Sequence, residues 1–347
     1  MTSRDRVLST LEGRTPDRVP TLELFIDSKV IDSICSGMSY EDFIDYADMD
    51  AVTCLTMADA SEDINWVDRA KGLWRDKWGA LQQLTDEIIS VTMPPARIEE
   101  ETDLVSYEPP DPSRAPVLEY AKGLVSRFKG RKAIVAVGED CFAHCQYLRG
   151  GLVNLMLDYA LRPELVRKLV QIGVDYHVEL YRKLIAEGVE VILLGDDYAG
   201  KQGPFMSPAH FEKYILPGLT TIVRAIRDAG GYCIKHTDGD IWKIMDMLIS
   251  ADIHMLGPLE PAYMALDEVR RYSAGAVGVM GNVDVDLLSR GSAEEVREAT
   301  KSLLRRVSPL GGHILSSGNS ISSSVRGENF MAMLETGRTF GRYPMEV

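Results

Sequence analysis

A (β/α)8 barrel with a β-hairpin insertion after its second strand is the fold this sequence predicts. Three observations point there. Short apolar runs of strand character alternate with longer runs of helical periodicity about eight times along the chain. Most of the apolar runs end in acidic or amide residues, as barrel strands do where they present chemistry on one face. No Gly-x-Gly-x-x-Gly follows the first strand, which counts against the alternative, a doubly wound open sheet. The 347 residues fit one barrel of about 250 residues plus an insertion, a single domain over 1–347.

The elements follow in order. A helix opens the chain, capped by Thr2 or Ser3, with Val7, Leu8 and Leu11 on one face and Gly13 as its stop. Val19–Phe25 reads as the first strand, Ser39 caps a short helix, and Ala51–Met57 is a second, buried strand. Residues of about 64–114 break the rhythm. Trp66, Trp74 and Trp78 concentrate there, and Gly72–Gly79 and Ile88–Met93 read as antiparallel strands. The tryptophans suit packing or a lid better than a stacking platform. From Pro116 the alternation is regular: a helix near 116–128, strand Ala133–Val137, a helix through 150–160, and a long helix with Pro163 in its first turn. Strand Val189–Leu194 follows, then a helix from Ser207-Pro208 to about Ala229. The strand from Tyr232 leads into a helical run at Ile241–Ile249. Strands Ile253–Leu256 and Ala276–Met280 come next, then a helix to about Arg306 behind the capping box Ser292–Glu295. Strand His313–Ser316 and a helix over 327–341 close the chain.

At 45% hydrophobic and 26% charged residues, the composition is that of an ordinary globular protein. No run approaches the ~18 apolar residues of a membrane helix, and the N-terminus lacks the apolar core of a signal peptide. A net charge of −14 argues against a nucleic-acid or anionic-membrane partner. The five cysteines are an odd number without a signal, so they read as reduced thiols of a cytoplasmic protein.

In a barrel the strand C-termini share one face. That face would collect Glu139 and Asp140, Asp196 and Asp197, His236, Asp238 and Asp240, Glu260, Asn282 and Asp284, and Ser317 and Asn319. So many carboxylates around one mouth persist only with a cation, hydrogen bonds or raised pKa values. His236-Thr237-Asp238 leaves a buried strand with two side chains pointing the same way, which suits a metal pair or an acid–histidine pair. Asp196-Asp197 suits substrate or metal contact, or helix capping. Asp284 suits a cap for a helix beginning at Val285. Cys141, His144 and Cys145 have metal-like spacing, but a half-buried helix start accounts for them better. Asp252-Ile253-His254-Met255-Leu256-Gly257 fits the Asp-x-His-x-x-Gly pattern of corrinoid-binding domains. It would put His254 inside a barrel strand, so the chain is not expected to hold a corrinoid by that motif.

Several of these segments together resemble the uroporphyrinogen decarboxylase superfamily, which includes corrinoid-dependent methyltransferases. They are Asp76–Gly79, Tyr147–Gly150, Gly195–Asp197, Met206–Pro208, His236–Gly239, Pro258–Pro261, Gly281–Asp284 and Ser316–Asn319. The resemblance covers nearly the whole chain and implies the same barrel. Decarboxylases of the superfamily carry an arginine-rich N-terminal stretch for the carboxylates of a tetrapyrrole. The matching stretch here, Arg18–Asp27, supplies Glu23 and Asp27, which would repel a polyanion. Coenzyme M methyltransferases hold zinc by His-x-Cys and a later Cys. His236 matches that histidine, while Asp238 and Asn319 stand where the cysteines would be, so the soft ligands are gone. What remains is similar to the branch that demethylates methoxylated substrates.

The resemblance therefore implies an O-demethylase-type methyltransferase that passes a methyl group to a corrinoid carried by a partner protein. Uroporphyrinogen-type decarboxylation and methylcobamide-to-thiol transfer are the alternatives. It implies His236, Asp238, Asp196 and Asp197 as catalytic residues, and a divalent metal such as zinc on His236 and Asp238. Trp78, Tyr147, Tyr198, Glu260, Asn282 and Asn319 would contact substrate. The expected partners are a small-molecule methyl donor and the corrinoid protein, and a homodimer is compatible with the sequence.

Overall fold

The computed structural model describes residues 1–56, 65–85 and 90–345. Its strands, in chain order, are β1 (Ala51–Leu55), β2 (Asn65–Asp68), β3 (Leu73–Arg75), β4 (Leu81–Gln83), β5 (Val91–Thr92), β6 (Ala133–Gly138) and β7 (Val191–Leu194). They continue with β8 (Ala199–Gly200), β9 (Gly203–Pro204), β10 (Tyr232–Lys235), β11 (Met255–Leu256), β12 (Gly278–Met280) and β13 (His313–Ile314). Seven of them form one parallel sheet in the order β1-β6-β7-β10-β11-β12-β13. β2 to β5 form a separate antiparallel sheet between β1 and β6. The expected strand positions at Met57, Ile88 and Ile89 lie outside the described residues.

The expected first strand at Val19–Phe25 is not a regular strand. It makes single parallel bridges, Thr21 with Leu315 and Ile26 with Ile321. The Leu22 amide donates to the Leu315 carbonyl and the Asp50 amide to the Thr21 carbonyl, each at 3.2 Å. The segment therefore ties the two edges of the seven-stranded sheet together and makes the architecture barrel-like. Pro20 has no amide to offer a ladder, which restricts the segment to isolated bridges.

Alternation along the strands separates two apolar layers. Ala133, Val135 and Val137 of β6, Val191 and Leu193 of β7, Ile234 of β10, Met255, Met280 and Ile314 share one inner cluster. Ile134, Ala136, Ile192, Leu194, Cys233, Leu256 and Val279 belong to the outer cluster that packs against the helices. The helix Ser3–Leu11 adds Val7, Leu8 and Leu11 to the inner cluster, each worth about 1.5–3 kcal/mol on burial. The helix expected from Ser207-Pro208 runs as Pro208–His210, a wide turn over Phe211–Ile215, and Leu216–Asp228. Pro217 lacks the amide an α-helix would need there, and the wide turn absorbs the gap. No helix among the described residues is long and apolar enough to cross a membrane.

Candidate functional site

Strand parity places the site. In β10, Ile234 faces inward, so His236 and Asp238 continue on the inner side and Lys235 on the outer. In β7, Leu193 faces inward, so Asp197 follows it inward and Asp196 goes outward. His236, Asp197 and Asp238 line a cavity of about 660 Å³ at the C-terminal end of the strands, together with Gly195, Glu260, Asp284 and Asn319.

The cavity floor is a group of three side chains. His236 is buried, and its Nδ1 lies 2.7 Å from the Pro258 carbonyl. A carbonyl only accepts, so Nδ1 carries a proton and Nε2 is the ring nitrogen turned to the cavity. That Nε2 lies 3.6 Å from an oxygen of Asp197 and 3.6 Å from one of Asp238. The Asp238 amide donates to Asp197 Oδ1 at 2.8 Å, and Asn319 Nδ2 lies 2.9 Å from both Asp238 oxygens. Glu260 accepts from the Gly239 amide at 2.7 Å. Burial pushes the Asp238 carboxyl up to about 6; Asp197 and Glu260 add to the rise, while His236 and Asn319 oppose it.

One ligand atom from each of Asp197, His236 and Asp238 fits within 4.8 Å of the others. His236 Nε2 and the two carboxylates are close enough together to share a cation, either a proton or a divalent metal. The ring hydrogen bond to a backbone carbonyl is the orientation a metal-binding histidine takes. The oxygen-rich set suits zinc or a harder ion.

Not every expected residue reaches the cavity wall. Asp196 is buried on the outer side, where its Oδ2 accepts the amides of Phe142 and Ala143 at 2.8 and 2.9 Å and holds the start of the helix Ala143–Leu148. Burial, and then Asp140 beside it, raise its pKa well above the carboxylate range. Tyr198 is fully buried and donates to Asp140 at 2.7 Å. Trp78 is buried against His144, Tyr176 and His177, and Tyr147 sits beside Glu139. Asn282 donates to the Met264 carbonyl at 3.0 Å. Cys141, His144 and Cys145 are fully buried, not half-buried, and join no metal-ready group among the described residues. Asp284 lines the cavity and also caps the helix Val285–Arg290. Asp240 accepts from the Trp242 amide at 3.0 Å. Lys235 escaped the sequence reading, although a lysine inside a buried run was the signal for it.

Residues 81–340 match the family model for uroporphyrinogen decarboxylase (URO-D). The chain belongs to the uroporphyrinogen decarboxylase family. Within this family, a curated uroporphyrinogen decarboxylase of Syntrophotalea carbinolica (strain DSM 2380 / NBRC 103641 / GraBd1) is 24% identical over 247 residues, 69% of each chain. A solved methyltransferase from Methanosarcina mazei superposes with a TM-score of 0.75 at 18% identity, covering 98% of this chain and 99% of that one. A B12-independent methionine synthase from Shewanella sp. W3-18-1 gives 0.53 at 14% identity, covering 93% and 92%. These two structures share the fold of this URO-D family chain.

Proposed function

We propose that this protein is a methyltransferase that moves a methyl group from a methoxylated, typically aromatic, or other methylated small molecule to the reduced corrinoid of a separate protein. The observation that carries the reading is the convergence of Asp197, His236 and Asp238 on one cavity, with one ligand atom of each within 4.8 Å of the others. An ether releases its methyl group reluctantly because alkoxide or phenoxide leaves badly. The leaving oxygen must take a proton or a Lewis acid as the bond breaks. The C–O pair stays on oxygen, the methyl carbon accepts the electron pair of the reduced corrinoid, and the organic product is a hydroxyl compound. A divalent metal on the triad would supply the Lewis acid.

The chain's own residues prepare that step. The Pro258 carbonyl fixes the His236 ring, so Nε2 faces the cavity. Asn319 grips both oxygens of Asp238 and holds the carboxylate in place. Leu24, Leu55 and Val137 supply an apolar wall that keeps water from the reacting carbon. The cavity charge disfavours the decarboxylase alternative. Asp27 lines the wall, and Glu23 is buried, accepting from Ser316 Oγ at 3.0 Å and from the Ser317 amide and hydroxyl at 2.8 and 2.7 Å. A polycarboxylate gains nothing there.

The test combines metal analysis of the purified protein with an assay on methoxylated aromatics and reduced corrinoid protein. The expected result is a bound divalent metal and one hydroxyl product per methylated corrinoid. Decarboxylation of a porphyrinogen without any corrinoid protein would overturn the proposal.

A further inference from the structure

We propose that this cavity selects methyl donors bearing an ammonium group, and that Asp27 receives it; the inference rests on the methyl-transfer reading and names its substrate class. Asp27 is 6% exposed and lines the cavity. Its Oδ1 accepts the Lys29 amide at 2.8 Å as the cap of the helix Ser28–Ile34. Among the described residues its Oδ2 takes no hydrogen bond, and no lysine, arginine or histidine pairs with the carboxylate. Residues 57–64, 86–89 and 346–347 contain no Lys, Arg or His that could supply a counter-ion. A buried carboxylate facing a cavity without a counter-ion is costly unless a cation arrives to pair with it.

The rest of the wall points the same way. Asp27, Asp197, Asp238, Glu260, Asp284 and Asp286 face a single lysine, Lys201, across this cavity. A divalent ion on the triad would offset Asp197 and Asp238, and the other four still outnumber Lys201. Asp286 has its own partner in Arg290 at 3.7 Å, out on the rim, whereas Asp27 is interior. Phe25 and Tyr263 also line the wall, and aromatic faces attract ammonium groups. Asp27 is close to the triad in the hydrogen-bond pattern. Its amide donates to the Ile321 carbonyl, two residues beyond the Asn319 that grips Asp238. A methoxyarene with an aminoalkyl arm would place its ether oxygen at the triad and its ammonium at Asp27. A donor with a carboxylate arm would meet repulsion in the same place.

Isothermal titration calorimetry with three ligands of one shape tests this. They are 2-(4-methoxyphenyl)ethylammonium, 2-(4-methoxyphenyl)ethanol and 4-methoxyphenylacetate. The ammonium is expected to bind at least about tenfold tighter than the alcohol, and the carboxylate weakest of the three. Asp27→Asn keeps the helix cap, because asparagine caps as well as aspartate. In that variant the preference for the ammonium over the alcohol should disappear. Equal binding of ammonium and alcohol to the unaltered protein, no binding of the ammonium, or a preference that survives Asp27→Asn would overturn the inference. Binding needs no corrinoid protein, so the two readings fail separately. An intact ammonium preference without methyl transfer counts against the transfer reading alone, and turnover of neutral methoxyarenes without that preference counts against this inference alone.

Discussion

Two sets of carboxylates stand at the ends of the same strands, one on each side of the sheet, and the chain treats them differently. On the outer side, Lys235 is fully buried with its ammonium 2.9 Å from Asp140, 2.7 Å from the Asp196 carbonyl and over the ring of Tyr198. Burial alone would raise the Asp140 pKa, but Lys235 pulls it below the carboxylate range. On the inner side, Asp197 and Asp238 have only the His236 ring between them. Asp140 brings its own cation, Asp196 holds the start of the helix Ala143–Leu148, and both serve the fold. The inner acids lack one and face a cavity. An acid at a strand end therefore says little until its parity and its counter-ion are known.

Four perturbations test that contrast, beginning with the largest. Lys235→Met leaves Asp140 buried without its partner and should cost about 3–5 kcal/mol of unfolding free energy in urea; a loss under about 1 kcal/mol would erase the distinction. Asp238→Asn is the mirror case. Methyl transfer should fall about 10²–10³-fold, while stability at pH 8 holds or rises, because a carboxyl that its surroundings hold near pKa 6 is removed. Glu23 lies between the two cases: a buried acid that pairs with no cation among the described residues and is satisfied by Ser316 and Ser317. Burial raises its folded pKa from 4.5 to about 7. The unfolded chain ionises it first, so stability falls as pH rises from about 4.5 to 7 and then levels. Relative to the parent protein, Glu23→Gln should gain on the order of 2 kcal/mol between pH 5 and pH 8 in urea titrations. The smallest effect is expected at Asn319. Its replacement by alanine frees the Asp238 carboxylate and should weaken metal binding at the triad about tenfold, read by competition with a chelating dye.

The strands and most helices were legible because apolar period and caps announce them. Ser292 and Glu295 form the expected capping box, and Pro163 begins the helix that runs to Glu187. Val19–Phe25 misled because β-branched and apolar residues look like a strand even where the chain only bridges a seam. The short helix Ser28–Ile34 gave too little periodicity to be read. In the site, the convergence of Asp197, His236, Asp238, Glu260 and Asn319 was within reach because strand ends in a barrel share a face. Asp196 was not separated from Asp197, since adjacent acids look alike until alternation assigns them opposite sides. Trp78, Tyr147 and Tyr198 looked like a substrate pocket, but Trp78 and Tyr198 pack on His177 and Asp140 from distant parts of the chain, and Tyr147 turns to Glu139. No local pattern shows that.

His236→Ala is the most direct measurement of whether the inner triad activates the methyl donor. With a methoxylated aromatic and reduced corrinoid protein, methyl transfer is followed by the change in corrinoid absorbance, and folding by urea titration of the same preparation. The account predicts a fall of about 10³-fold or more in transfer with unfolding free energy within about 1 kcal/mol of the parent. Transfer by the alanine variant within about tenfold of the parent rate would contradict it.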